Sequence, residues 1–253
     1  MKPCKADIVR ENVRISVRTG IFLFLFFATV LLAAVPAYCQ RGTLDLNVGQ
    51  TSDQFGAIPA ATSPLIDING ELTIKMPNPK KGGASIVAGG EIRVPVDATD
   101  HAKEIAVYGG LAWTFHQNLS IGVDAGVCKI YMPSTTVDNE TFVRNNLELF
   151  QLPIVIKYKF GPERRAFVEA RGEPEFTPHF KDVPLSTVGI PNPSFDHGYT
   201  VRASAGYNFG QWWYVKASAE TRYFKFLTNT TGNPNGLYNW KSNIVTGGVG
   251  VRF

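Results

Sequence analysis

Strand-length segments in which apolar and polar residues alternate one by one constrain this chain more than any other feature. In Tyr199–Phe209 one face reads Tyr199, Val201, Ala203, Ala205, Tyr207, Phe209, and the other Thr200, Arg202, Ser204, Gly206, Asn208. In Trp213–Tyr223 one face reads Trp213, Val215, Ala217, Ala219, Thr221, Tyr223, and the other Tyr214, Lys216, Ser218, Glu220, Arg222. Ile105–Phe115, Leu119–Val127, Phe150–Phe160 and Ala166–Gly172 follow the same rule. A period of two is the pattern of strands with two different faces. A soluble β-sandwich also alternates, so the content of the faces decides. The apolar faces begin and end in aromatics, and Trp113, Phe150, Tyr158, Phe160, Tyr199, Tyr207, Phe209, Trp213 and Tyr223 form the expected aromatic girdles. Aromatics at both ends of an apolar strand face mark two membrane interfaces. The Ala, Gly and Val between them are tolerable against lipid and would fill a soluble core poorly.

Connections alternate between tight and long. Phe115–Asn118, Phe160–Glu163 and Phe209–Gln211 read as short turns, whereas Met132–Asn146, Pro174–Asp196 and Thr228–Asn239 read as loops, the last two rich in Pro, Asn, Asp and Gly. Short periplasmic turns and longer outer loops are the transmembrane-barrel pattern. Counting back from the end places strands near 240–253, 212–227, 198–209, 165–175, 148–160, 118–131, 104–115 and 84–96. Thr43–Gln50 and Leu65–Lys75 also alternate, giving an all-β, antiparallel up-and-down barrel of ten strands over residues 40–253. Eight strands behind an N-terminal periplasmic extension is the alternative. Both numbers are even, so either leaves the two ends on one side.

The N-terminus reads as a targeting segment over residues 1–39. A basic stretch precedes the apolar run Ile21–Val35, whose 15 residues suit a signal peptide better than a membrane helix of about 20. Small residues place cleavage before Gln40, with Tyr38 as the second candidate. Residues 1–39 carry five bases and two acids, leaving 20 bases and 19 acids in the remainder. The basic pI of 8.9 is therefore no argument for nucleic-acid binding. Of three cysteines, Cys4 lies in the leader, Cys39 is removed with it, and Cys128 is left without an intrachain partner. No metal-ligand spacing and no cofactor motif occur.

The polar faces collect charge of both signs: Glu91, Arg93, Asp124, Lys157, Glu169, Arg171, Arg202, Lys216, Glu220, Arg222 and Arg252 are expected to point into the lumen. Side chains nearly fill a barrel of this size, and buried ions must pair. A salt-bridged, largely closed lumen is therefore expected, with a narrow solute or ion pathway as the alternative. Catalysis is the third reading. It would draw on His101 beside Asp97 and Asp100 in an outer loop, or on His179 and His197 near Asp182 and Asp196. No spacing among them is diagnostic, and the chain is read as a non-enzyme with a structural or surface-interaction role. Its expected partners are outer-membrane lipid and lipopolysaccharide.

The final segment ends on Phe253, with Val251 two residues before and Val249 four before. It resembles the C-terminal β-signal of outer-membrane barrels, polar–x–Gly–x–x–apolar–x–aromatic, with Thr246, Gly248, Val251 and Phe253 at the defined positions. The resemblance implies recognition by the barrel-assembly machinery. The stretch Leu149–Phe160, followed by Ala166–Ala170, is similar to strands of the small outer membrane protein β-barrel domain families, OmpA-like and PorT-like. That resemblance spans roughly residues 84–253 and implies an exported outer-membrane barrel with periplasmic termini. It implies architecture and no particular activity.

Overall fold

A computed structural model describes residues 40–56, 58–76, 82–97, 101–115, 118–133, 135–137, 140–142, 146–176, 195–226 and 239–253. The expected leader, with both cleavage sites' preceding residues, lies outside them, as do His116, His179, Asp100 and Asp182.

The described residues form thirteen strands: β1 (Gln40–Phe55), β2 (Ala61–Lys75), β3 (Gly82–Pro95), β4 (Lys103–Phe115), β5 (Leu119–Tyr131), β6 (Thr135–Val137), β7 (Glu140–Phe142), β8 (Leu147–Gln151), β9 (Ile154–Phe160), β10 (Ala166–Phe176), β11 (Phe195–Phe209), β12 (Trp213–Phe226) and β13 (Trp240–Arg252). β6 and β7 pair only with each other, a small hairpin in the segment read from sequence as loop. β8 and β9 share one position in the wall, since both pair with β5 and β10. They are parted at Leu152-Pro153, where Pro153 has no N–H to offer the ladder. The Pro153 carbonyl still accepts from Asp124 N at 2.9 Å, so the wall stays continuous across the break.

Ten wall positions result, each antiparallel to its sequence neighbour. β1 pairs β13 from Thr43↔Arg252 to Phe55↔Trp240 and closes the ring. Without β1 and β2 there is no closure, which rules out the eight-strand alternative. Closure leaves no backbone edge, so every wall strand is hydrogen-bonded on both sides, as a bilayer interior demands. Two strands run longer than the alternation indicated: β1 reaches Phe55, and β2 starts at Ala61.

The two ends of the barrel differ. At one, the turn end, lie the start of β1, the end of β13 and the tight connections β4–β5, β9–β10 and β11–β12. The β9–β10 turn is a short 3₁₀ segment, Pro162–Arg164, with Gly161 in the left-handed region at φ 78°. The long connections emerge at the other, loop end, but the β1–β2 connection there is short, from Gly56 to Ala60.

Outward faces are apolar. Leu44, Leu46 and Val48 on β1, Val107, Leu111 and Trp113 on β4, and Val245 and Val249 on β13 are all solvent-accessible in the isolated chain, Val48 to 62%. Tyr199 and Phe209 stand ten residues apart on β11. At about 3.4 Å per residue and a tilt near 40°, that spans roughly 26 Å of height, the thickness of an outer-membrane apolar band. Among the described residues, no helix is long and apolar enough to cross a membrane.

Candidate functional site

Inward positions follow strictly from the strand parity, and they build three layers along the lumen. The middle layer is ionic. Glu91 and Arg93 project from β3, Glu104 from β4, Arg202 from β11, and Glu220 and Arg222 from β12. β3 and β11 lie five positions apart in a ring of ten, so contacts between them cross the lumen. Arg202 Nη2 reaches both Glu91 oxygens at 2.9 Å, and its Nε donates to Glu220 at 2.6 Å. Arg93 grips Glu220 with two parallel bonds of 2.6 and 2.7 Å, and also contacts Glu91 and, at 3.3 Å, Glu104. Arg222 joins Glu220 at 2.5 Å and Glu104 at 2.6 Å. Three guanidiniums thus converge on the Glu220 carboxylate, and every one of these side chains is at most 7% exposed. Bidentate Arg–carboxylate pairs are the strongest and most directional available, and here they tie opposite walls together.

Arg171 extends this layer from β10. It pairs with Glu173 and lies over the Tyr108 ring, its guanidinium carbon 4.5 Å from the centroid. Glu175 accepts from Thr200 at 2.6 Å.

Toward the loop end the lumen turns apolar. Phe55, Cys128, Ile130, Leu147, Leu149, Phe224, Phe226 and Trp240 form one buried cluster. Trp240 is sandwiched between Phe55 (6.2 Å, 11° between planes) and Phe224 (5.0 Å, 12°). Its indole N–H donates to Asp53 at 3.1 Å. The other Asp53 oxygen meets His101 Nδ1 at 2.7 Å, and His101 is 2% exposed. His101 was expected in an open outer loop beside Asp97. Instead His101, just ahead of β4, is buried against Asp53 of β1. Between the ionic and apolar layers a void of about 10 Å³ remains, at the size of a single water.

Toward the turn end the lumen widens into a vestibule of about 580 Å³. Lys157 and Glu169 pair across β9 and β10 at 2.8 Å. Lys216 pairs with Asp45 at 2.5 Å, and Tyr214 also donates to Asp45. Asp124 lines the vestibule wall and takes no part in the ionic layer. Arg252 lies at the rim, its guanidinium carbon 4.9 Å from the Tyr214 centroid.

The eleven charges picked from sequence therefore fall in two places. Glu91, Arg93, Arg171, Arg202, Glu220 and Arg222 are in the ionic layer; Asp124, Lys157, Glu169, Lys216 and Arg252 are around the vestibule. Sequence reasoning missed Asp45, Asp53, Glu104, Glu173 and Glu175, although strand parity would have placed each of them inward. The girdle residues fall in two belts. Trp113, Tyr158, Phe160, Tyr207, Phe209 and Trp213 face outward near the turn end, and Phe150, Tyr199 and Tyr223 nearer the loop end. Of the terminal motif, Val251 and Phe253 share the outward parity, and Thr246 and Gly248 face the lumen. Phe253 exchanges both backbone bonds with Gly42, at 2.8 and 3.0 Å. Among the described residues no group of His, Cys, Asp and Glu has metal-binding geometry. His197 pairs with its exposed neighbour Asp196 at 3.1 Å and lies near the Tyr223 ring, with centroids 6.3 Å apart.

No family model matches the chain, and no curated protein matches it. Solved structures do. An outer membrane channel from Pseudomonas putida F1 is similar at a TM-score of 0.50 and 10% identity, over 87% of this chain and 97% of that one. The NanC porin is similar at 0.40 and 9%, over 81% and 98%. A Pseudomonas aeruginosa FadL homologue is similar at 0.38 and 11%, over 85% and 90%. At such identities the likeness is one of fold. Ring closure and the apolar outer wall, together with the fold likeness to the Pseudomonas putida channel, make this chain an antiparallel transmembrane β-barrel of the outer-membrane type.

Proposed function

We propose that this chain is a sealed outer-membrane barrel with a structural or surface-interaction role, which neither passes solutes nor performs catalysis. The observation that supports it is the ionic layer. Arg202–Glu91 and Arg93–Glu220 join opposite walls, and an apolar plug centred on Trp240 is stacked behind them. An ion would have to displace paired charges and then cross an apolar aromatic layer.

In this reading the turn end faces the periplasm, where β1 and β13 meet, and the long loops face outward. The outer wall contacts lipid and, in the outer leaflet, lipopolysaccharide. Thr246, Gly248, Val251 and Phe253 present the last strand to the assembly machinery, as an unpaired edge that a second sheet can template before closure. Kinship with the OmpA-like or PorT-like families belongs to the same proposal.

A small channel is the second reading, and the vestibule is the observation in its favour. For a hydrolase nothing comparable exists among the described residues, since His101 is enclosed beneath Trp240 and Asp53. The proposal predicts recovery with the outer membrane, heat-modifiable migration on gels, and no sugar-driven swelling of liposomes carrying the protein. Recovery in the soluble periplasm would refute the membrane placement, and rapid swelling would refute the seal.

A further inference from the structure

We infer that the turn-end vestibule is a dead-end binding site for a small organic polyanion, one bearing two or more carboxylate or phosphate groups. The cavity, about 580 Å³, lies in the size range of small-molecule sites. It is closed at depth by the ionic layer, so it is a pocket rather than a passage.

Its charge is arranged by depth. Arg41 is the second residue of β1, Lys75 the last of β2, Lys159 the penultimate of β9, and Arg252 the last of β13. All four line the mouth of the cavity. None lies within salt-bridge distance of a described carboxylate, although nearly every deeper lumen cation has such a partner. The side-chain carboxylates in the cavity sit three to five residues further in. Glu169 is already held by Lys157, leaving Glu71 and Asp124.

Like charges converging on a partly enclosed space repel one another, and an anion of matching span removes that cost. The four cations come from separate strands around the rim, which favours an anion with several charged groups over a single point charge. Thr43 and one hydroxyl of the Thr114–Ser120 pair also line the cavity and can donate to such groups, and the Gln211 amide can do so at the mouth. Glu71 and Asp124 repel the anion from the floor and hold it at the rim. The walls are lumen-facing residues, so the ligand is a soluble anion entering from the mouth rather than a bilayer lipid.

That the pocket is a dead end rests on the proposed seal, whereas anion binding at its rim is tested separately from the seal. The full chain, extracted in detergent, is titrated calorimetrically with citrate, with inorganic phosphate, and with vesicles containing phosphatidylglycerol. Saturable citrate binding is expected, tighter than phosphate and weakening as sodium chloride is raised. The K75Q/K159Q variant removes two cations that satisfy no carboxylate, so it should fold and keep heat-modifiable migration. Its citrate affinity should fall at least tenfold. A K129Q variant, altered on the outer wall, should bind as the parent does. No saturable citrate binding, unchanged affinity in K75Q/K159Q, or binding to the lipid vesicles alone would each overturn the inference.

Discussion

Glu220 carries more of the ionic layer than any other residue, because Arg93, Arg202 and Arg222 all converge on it. Removing one partner of a buried network leaves charges neither solvated nor paired, at a cost of about 3–5 kcal/mol. Glu220→Gln should therefore lower the stability of the refolded barrel by that order, read as a fall in the urea midpoint in lipid vesicles. Lys129 and Glu148 make a contrasting pair. They meet at 3.1 Å, but their side chains are 38% and 44% exposed. Exposed pairs contribute between zero and about 1 kcal/mol, so Lys129→Gln should shift the midpoint little. A loss for K129Q as large as that for E220Q would show that burial does not set these energies. Glu220 was legible in the sequence, since parity alone puts it on the inner face of β12. His101 was not. It precedes its strand, and its burial depends on a contact with Asp53 of β1, which no periodicity records.

At the level of strands, the wall is set by pairing inward glycines with inward aromatics on the neighbouring strand. Phe167 stands opposite Gly206, Tyr108 opposite Gly89, and Tyr214 opposite Gly250. Any side chain at Gly206 would run into the Phe167 ring, and one at Gly250 into Tyr214. Each ring fills the gap that its glycine leaves, which pins the register. Gly206→Val should thus overpack the site and cost about 1–3 kcal/mol, visible as a lower unfolding midpoint with unchanged strand content by circular dichroism. An unchanged midpoint would mean the ring is free to move. The strands themselves were largely readable, because most keep one apolar and one polar face throughout. Reading failed where the faces change character. Phe224 and Phe226 continue the inward face of Glu220 and Arg222, so β12 is polar inside over one half and apolar inside over the other. A rule equating polar with lumen cannot see the plug that these residues form with Trp240. The break at Pro153 was likewise hidden, inside a segment whose outward positions from Phe150 to Phe160 are apolar throughout.

For the molecule as a whole, closure and sealing have one origin. β1 meets β13, the ring becomes small enough for side chains to span it, and guanidiniums from β3, β11 and β12 complete the blockage. The strand number was decided by β1 and β2, whose alternation is present in the sequence but whose place in the ring only pairing could establish. The vestibule was not legible at all. It arises from where the ends of β1, β2, β9 and β13 come together, residues far apart along the chain. Because the ionic layer closes that space from above, the seal is the claim on which the rest of the account turns. Planar-bilayer recording of the purified protein tests it most directly. The account predicts a silent membrane for the parent protein, with current steps emerging only in a variant that opens both layers, such as Arg93→Ala with Arg202→Ala and Trp240→Ala. Stable, reproducible current steps from the parent protein would contradict it.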